Sequence, residues 1–474
     1  MADIRFRMEE DSIGAKEVPV DAYYGVQSLR ALENFPITGE RMNPQFIRSL
    51  AEIKKACAIV NNRVGLLDDA KKDAIVKACE EILAGKLMDQ FIVDPVQGSA
   101  GTSMNMNANE VIANRATEIL GGALGDYANY VHPNDAVNYG QSTNDVIPSA
   151  GKMTILKLWA DCEKTLIRLY EAFEKKAAEF DGVIKMGRTQ MQDAVPIRLG
   201  QEFHAYATAT KRGIDRINAV MGEMKELNMG GTAVGTGINA DKDYFAQICP
   251  EIAKVSGMDL KQTADVVDGT QNLDSFAAVS GAFKSLAVAL SKICNDLRLL
   301  SSGPRCGFGE INLPSRQNGS SIMPGKVNPV IPEVLNQVCF SIIGYDVTVN
   351  MAAEGGQCEL NAFEPIIYYS IFKSIETLDH AVQTFITNCV EGITANEKRC
   401  KELVDNSVGI VTAICPHVGY KKAAAVAKKA IKSGASVKDL ILEEKMLTRE
   451  EMEKILEPVG MTTPGIAAEE LLKK

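Results

Sequence analysis

The chain has 474 residues, 46% hydrophobic and 24% charged, an ordinary globular balance with room for several domains and a large core. Its 51 lysines and arginines against 61 acidic residues leave a formal net charge of −10, which speaks against nucleic acid or an anionic membrane as partner. An anionic ligand would have to be drawn by local groups such as Lys326, because distant surface charge is screened beyond about 8 Å at physiological salt. Eleven cysteines, scattered from Cys57 to Cys415, include no C-x-x-C pair and read as reduced thiols. The opening MADIRFRMEEDS is charged and lacks the apolar region of a signal peptide. No stretch approaches the roughly 20 consecutive apolar residues of a membrane span, so a cytoplasmic protein is expected.

In chain order, residues 1–140 carry shorter helical pieces and a polar loop over 94–109. From 151 to 180 apolar side chains recur at Ile155, Trp159, Cys162, Leu166, Leu169, Phe173, Ala177 and Phe180. Steps of three and four predict one long helix. Similar patterns cover about 199–226, 271–301, 331–353 and 366–392, with almost no alternating strand pattern between them. Consecutive long amphipathic helices imply a mainly α fold built on a helical bundle. The segment 271–301 is small and apolar around most of its circumference, so it must be buried on several sides, by its own chain or by other subunits. From about 396 the chain is Lys-rich and helical in short units. There Thr448 and Glu451 are spaced for a capping box, with Leu447 and Met452 placed for a hydrophobic staple. The expected divisions are 1–140, 141–395 and 396–474.

Four loops concentrate small polar residues: Gly98–Asn105, His132–Asp135 with Gln141–Asp145, Gly187–Asp193, and Gly319–Pro329. Three are expected to precede helices, where Ser, Thr, Asn and Asp are preferred N-caps, so capping accounts for Thr102, Ser142, Thr143 or Thr189 taken singly. Together, four hydroxyl and amide loops with Lys326 suit a small dicarboxylate that needs many directed donors. In the last loop Gly319, Pro324, Gly325 and Pro329 exclude an ordinary helix or central strand. Its serines, lysine and asparagine can present N–H groups, hydroxyls and a charge to a small anion. The piece Gly230–Asn239 lacks the third glycine of G-x-G-x-x-G and follows a helical pattern, so a tight turn is expected there. His132, His204, His380 and His417 share no ligand spacing with cysteine or carboxylate, so no metal is expected. His204 reads as a packed or surface histidine, and no G-x-S-x-G elbow is present.

The string GSSIMPGKVNP, residues 319–329, resembles the signature loop of the fumarase/aspartase superfamily. Asp21–Gln27, Gln141–Val146 and Gly187–Pro196 resemble the aspartase branch of it, and these segments span essentially the whole chain. Class II fumarase is the near alternative. It typically has serine where Thr143 stands, and histidine where Gln190 stands, partnered by a glutamate matching Glu333. Gln190 cannot transfer a proton in that way, which counts against hydration of fumarate. A structural protein of this fold without catalysis, as in lens, is disfavoured because residues for every role are present.

The resemblance implies a three-domain, almost wholly helical subunit whose long central helices assemble into a homotetrameric core, with each active site built from loops of different subunits. It implies anti elimination of ammonia from L-aspartate to fumarate through an enediolate, with no cofactor. By position, Ser320 would be the base, activated by loop N–H groups and nearby positive charge. Thr102, Ser142, Thr143 and Ser321 would stabilise the enediolate oxygens. Lys326 and Asn328 would hold the α-carboxylate, and Asn144, Thr189 and Gln190 would receive the ammonium group. Gly319 and Gly325 would be hinges of a closing lid.

Overall fold

The structure, a computed structural model, describes Arg5–Leu472; the first four residues, read above for a leader, lie outside the described residues. It opens on an antiparallel hairpin that the sequence did not announce, β1 (Phe6–Asp11) and β2 (Gly14–Pro19), in register from Phe6↔Pro19 to Asp11↔Gly14. No apolar alternation marks these strands. Arg7 fastens them, donating to the carbonyls of Pro19, Val20 and Tyr24 while it ion-pairs with Glu9.

Four helices follow: α1 (Val26–Asn34), α2 (Pro44–Arg63), α3 (Asp69–Leu83) and α4 (Thr102–Ile119). The expected loop 94–109 is thus helical from Thr102 onward. The reason is burial: Asn105, Asn107, Asn109 and Asn114 lie inside, where polar residues erase an amphipathic stripe. These asparagines bracket neighbouring backbone. Asn107 accepts from Ile92 N and donates to Gln90 O, while Asn114 donates to Tyr23 O and accepts from Gly125 N.

Five long helices carry the bundle character: α5 (Thr143–Glu179), α6 (Leu199–Val220), α9 (Asp274–Leu300), α10 (Val330–Glu354) and α11 (Glu364–Asn388). The shorter α7 (Lys242–Ser256) and α8 (Val266–Gln271) lie between α6 and α9 in sequence. Helix α5 starts eight residues before its amphipathic stripe because Asp145, Val146, Ile147, Ser149 and Ala150 are all buried and show no polar face. Pro148, inside that helix, has no N–H for the carbonyl of Asn144. Asn228 Nδ2 donates to that carbonyl instead, at 3.0 Å. A second hairpin, β3 (Ile184–Thr189) and β4 (Gln192–Arg198), stands where a polar loop before a helix was expected. After α11 come short helices beginning with α12 (Glu397–Asn406), and the capping box of Thr448 and Glu451 is formed as its spacing predicts.

The chain divides into two compact units, residues 1–163 with 215–287 and 340–379, and residues 164–214 with 288–339 and 380–474. Both sets of cuts fall inside the long helices. In the first unit Trp159 meets Phe283 edge-on at 5.5 Å and donates its indole N–H to Asn218, while Phe46, Tyr368 and Phe372 cluster. In the second, Phe173, Phe180, Phe203, Tyr206 and Phe385 form an aromatic core, and Ile414, Val426, Leu440, Ile441, Met452 and Ile455 close the C-terminal helices around Met186.

By length and mean composition α9 is long and apolar enough to cross a membrane, although serines and lysines interrupt it and it holds no run of 20 apolar residues. A core helix passes the same test, and Phe276, Val279, Phe283, Leu286, Leu290, Ile293 and Leu297 are buried in the chain itself. Its remaining apolar face is not covered: Val288 is 54% exposed, as are Phe340 at 58%, Val347 at 56% and Met351 at 69% on α10.

The N-terminus of α1 rests on a buried carboxylate. Glu110, from α4, accepts from the backbone N–H of Gly25, Gln27 and Ser28 and from the Ser28 hydroxyl. Helix starts leave such donors unpaired, and a carboxylate there is favoured by the helix dipole. Burial nevertheless pushes the Glu110 pKa up from 4.5 to about 7. The folded chain therefore holds this proton more tightly than the unfolded one. The stabilisation is complete below about pH 4.5 and is lost as pH rises through 7. Against a Glu110→Gln variant, the parent's thermal midpoint should fall as pH is raised from 5 to 8; a pH-independent difference would refute the assignment. Glu110→Ala, which orphans several buried donors, should cost about 3 kcal/mol or more by chemical denaturation.

Candidate active site

In the first unit, Thr102 opens α4 after a turn whose backbone is left-handed at three successive residues, Ser99 (φ 67°), Ala100 (φ 51°) and Gly101 (φ 85°). Only one of them is glycine, and left-handed backbone at the other two costs about 1–2 kcal/mol each. Strain of this kind persists where surrounding contacts fix it, often at a functional site. The Thr102 hydroxyl donates to Ser99 O at 2.8 Å. Thr102 lines a cavity of about 530 Å³ together with Gln27, Arg30, Ser103, His132 and Asn134. His132 Nδ1 accepts from the backbone N–H of Asn134 and Asp135, both at 3.1 Å, which leaves Nε2 as the protonated nitrogen of a neutral ring.

Ser142, Thr143 and Asn144 meet at the start of α5. Ser142 Oγ accepts from Asn144 N, the capping role expected of it taken singly. Asp145 holds this helix start. Its carboxylate accepts from Ser142 N at 2.9 Å and from Gly230 N and Thr232 N at 3.1 Å each. The Gly230–Asn239 segment is the tight turn expected, and its amides serve this carboxylate rather than a nucleotide. Burial pushes the Asp145 pKa up to about 6 against those donors and Lys54.

Behind Thr143 sits an amide network. Asn105 Nδ2 reaches Thr143 Oγ1 at 3.4 Å and Asn138 Oδ1 at 3.2 Å. Buried Lys54 donates to Asn138 and Gln141 at 2.8 Å each, and burial lowers its pKa to about 8. Thr102 and Thr143 are thus linked through α4. Asn144 Nδ2 donates one of its two N–H groups to Ala233 O at 2.7 Å, which orients the amide.

In the second unit, Thr189 ends β3 and pairs with Gln192 across a two-residue turn. Gln190 (φ 52°) and Met191 (φ 64°) are both left-handed, as a tight hairpin of this length demands, although neither is the usual Asn or Gly. Both are exposed. Below them lies an ion-pair cluster of Lys185, Arg188, Glu202 and Glu310 that sequence reasoning missed, because Glu310 comes from a distant part of the chain. His204 is on the surface, paired with Glu174.

Ser320, Ser321, Lys326 and Asn328 share one arch. Gly319 N donates to Lys326 O at 2.7 Å, and Asn328 Nδ2 donates to Gly319 O at 3.0 Å, closing its base. A side chain at Gly319 would come within 2.8 Å of Asn328 and of Lys326 O, so the closure requires glycine. Ser320 Oγ accepts from Ile322 N at 3.2 Å and Met323 N at 3.0 Å. Ser321 and Lys326 are exposed, and the apolar Ile322 is 84% exposed. Glu333, in the first turn of α10, stands 4.0 Å from Arg298.

The expected residues thus gather in two sets: the starts of α4 and α5 in the first unit, the β3–β4 tip and the Ser320 arch in the second. Among the described residues no cluster of three or more His, Cys, Asp or Glu has a metal-holding arrangement. All eleven cysteines are unpaired.

Residues 14–344 match the family described as Lyase, and residues 410–463 match the Fumarase C C-terminus. The aspartate ammonia-lyase of Bacillus subtilis (strain 168) is 52% identical over 469 residues, 99% of this chain and 98% of that protein. The solved fumarate lyase:delta crystallin from Brucella melitensis bound to cobalt superposes with a TM-score of 0.94 at 50% identity, covering 97% of this chain and 100% of that one. The class II fumarase of Schistosoma mansoni shares the fold, with a TM-score of 0.93 over 97% of this chain and 100% of that one, at a lower identity of 36%. With its helical architecture, its signature arch and full-length similarity to curated relatives, the chain belongs to the fumarase/aspartase family of lyases, in its aspartate ammonia-lyase branch.

Proposed function

We propose that this chain is an aspartate ammonia-lyase, a carbon–nitrogen lyase that removes ammonia from L-aspartate by anti elimination to give fumarate. The observation that carries the mechanism is the pair of backbone N–H groups already aimed at Ser320 Oγ. A serine hydroxyl is a poor base. As an oxyanion held by two amides, with the Lys326 cation in the same arch, it can take the Cβ proton. The electron pair of that C–H bond flows into the adjacent carboxylate to form the dianionic enediolate. As the enediolate collapses, the Cα–N bond breaks and its electron pair leaves with the nitrogen as ammonia. No strong general acid is needed, so glutamine at position 190 suits this reaction better than hydration, as does the closer similarity to aspartate ammonia-lyases than to class II fumarase.

Donors at the enediolate supply the largest catalytic term, typically about 3–4 kcal/mol for each one removed. Thr102, Ser142, Thr143 and Ser321 are assigned to it, Lys326 and Asn328 to the α-carboxylate, and Asn144, Thr189 and Gln190 to the ammonium group. No cofactor enters this chemistry. The exposed apolar side chains of α9 and α10 support assembly, which we assign as a homotetramer with each site drawn from several chains. The separate match of residues 410–463 supports a C-terminal domain at 396–474, beside domains that we assign to 1–140 and 141–395, and we assign the enzyme a cytoplasmic location.

L-aspartate should be deaminated, with fumarate followed by absorbance, and L-malate should be converted slowly or not at all. Malate dehydration at a matching rate would reassign the chain as a fumarase. Ser320→Ala should lower kcat by about 10²–10⁴-fold or more with substrate affinity largely kept, whereas Lys326→Ala should mainly raise KM. Near-normal turnover of Ser320→Ala would remove Ser320 as the base. Mixing, dissociating and reassembling the inactive variants Ser320→Ala and Thr143→Val should restore partial activity. No recovery after verified reassembly would mean that one chain builds each site.

A further inference from the structure

Within the first unit, a chain of side chains fixes the direction of the hydrogen bond that ends on Thr143. Lys54 of α2 is buried and carries only donors. Asn138 and Gln141 therefore face it with their carbonyl oxygens, at 2.8 Å each. The far end of each amide agrees: Asn138 Nδ2 donates to Gln141 O at 3.2 Å, and Gln141 Nε2 donates to Val137 O at 2.9 Å. Since Asn138 Oδ1 is an acceptor, the Asn105 atom 3.2 Å from it is Nδ2. The second N–H of that nitrogen faces Thr143 Oγ1 at 3.4 Å. Thr143 can only accept on this side, so its own proton points elsewhere. Buried Thr154 and Thr210 spend theirs on the carbonyls of Ala150 and Tyr206, one turn back. Thr143 is the first residue of α5 and has no preceding turn. Among the described residues no group accepts its O–H.

Asn105 is 1% exposed, and among the described residues its Oδ1 has no hydrogen-bond partner. An orphaned buried acceptor destabilises the fold, whereas an apolar side chain of the same shape can be neutral or better. Leucine is such a side chain, so packing at this place in α4 does not call for an amide. Nor does Asn105 tie down backbone, as Asn107 and Asn114 of the same helix do with both ends of their amides. What its amide adds is a donor on Thr143. The 3.4 Å contact is long, as catalytic hydrogen bonds of a free enzyme often are before substrate tightens them.

We propose that Asn105 is a positioning residue: by donating to Thr143 Oγ1 it commits the threonine proton to the substrate, so that Thr143 meets the enediolate as a donor of fixed direction. Such a donor needs no reorientation as charge develops. This rests on the assignment of Thr143 to the substrate site.

The test is a mutant cycle on the full-length, assembled enzyme with L-aspartate. Thr143→Val removes the donor and should lower kcat by about 10²–10³-fold. Asn105→Leu frees the hydroxyl to turn and should lower kcat about tenfold, with KM changed much less. On the residual rate of Thr143→Val, the same Asn105→Leu change should cost under about twofold, because no hydroxyl is left to direct. The thermal midpoint of Asn105→Leu should equal or exceed the parent's, the opposite of what loss of a structural hydrogen bond would give. Should Asn105→Leu fail to assemble, Asn105→Ala carries the same cycle. A kcat within about threefold of the parent's, or equal costs of the Asn105 change in both backgrounds, would overturn the proposal. Parental turnover by Thr143→Val would instead overturn the assignment of Thr143 to the site, and this proposal with it. A parent inactive on aspartate but active on malate would overturn the assigned reaction alone, and the cycle would then be read with malate.

Discussion

The carboxylate of Asp145 is the constraint on which the start of α5 in the first unit depends. A helix beginning Thr-Asn-Asp with a proline at its sixth residue has a poorly satisfied first turn. Asp145 answers this by collecting N–H groups from Ser142, Gly230 and Thr232, and Asn228 answers the carbonyl that Pro148 leaves without a donor. A glycine-rich turn remote in sequence is thereby fixed against the residues assigned to substrate. Positions that must offer hydroxyls and amides to a dicarboxylate cannot also be held by apolar packing, so buried polar partners hold them from behind.

The second unit solves the same problem by different means. The Gln190–Met191 turn accepts left-handed backbone without glycine or asparagine, and the arch is closed by its own amides at Gly319 and Asn328. In both units the strained or polar backbone lies on connections between rigid helices, where local cost is tolerated because the scaffold over-determines it. Ser320 shows the economy of this arrangement: the two N–H groups that make an ordinary serine turn are the ones that would stabilise its oxyanion.

The long helices were legible because each shows water one face and the core another, and periodicity reports that contrast. Helix α4 was not, since burial on all sides and internal asparagines leave no stripe. The first turns of α5 were hidden for the same reason. Both hairpins escaped notice: β1–β2 is held by Arg7 rather than apolar alternation, and β3–β4 carries a bulge at Gly187 and a proline at 196 that break period two. Among the candidate site residues, family resemblance supplied the positions, but not that the Asn144 and Asn328 amides already have protein partners. The Lys185–Glu310 cluster was invisible because nothing local in sequence announces a partner contributed by a distant segment.

The contrast between Lys326 and the buried cluster has a consequence for ionic strength. Lys326 is exposed, so the pull that we assign to it on an anionic substrate is a solvent-mediated field that added salt shortens from about 8 Å towards 3 Å near 1 M. Glu310 is fully buried and Arg188 largely so, and their attraction is less screened. Salt would thus weaken capture of the substrate while leaving the framework that receives it in the same register, separating in one solution variable the two tasks that charge performs in this fold.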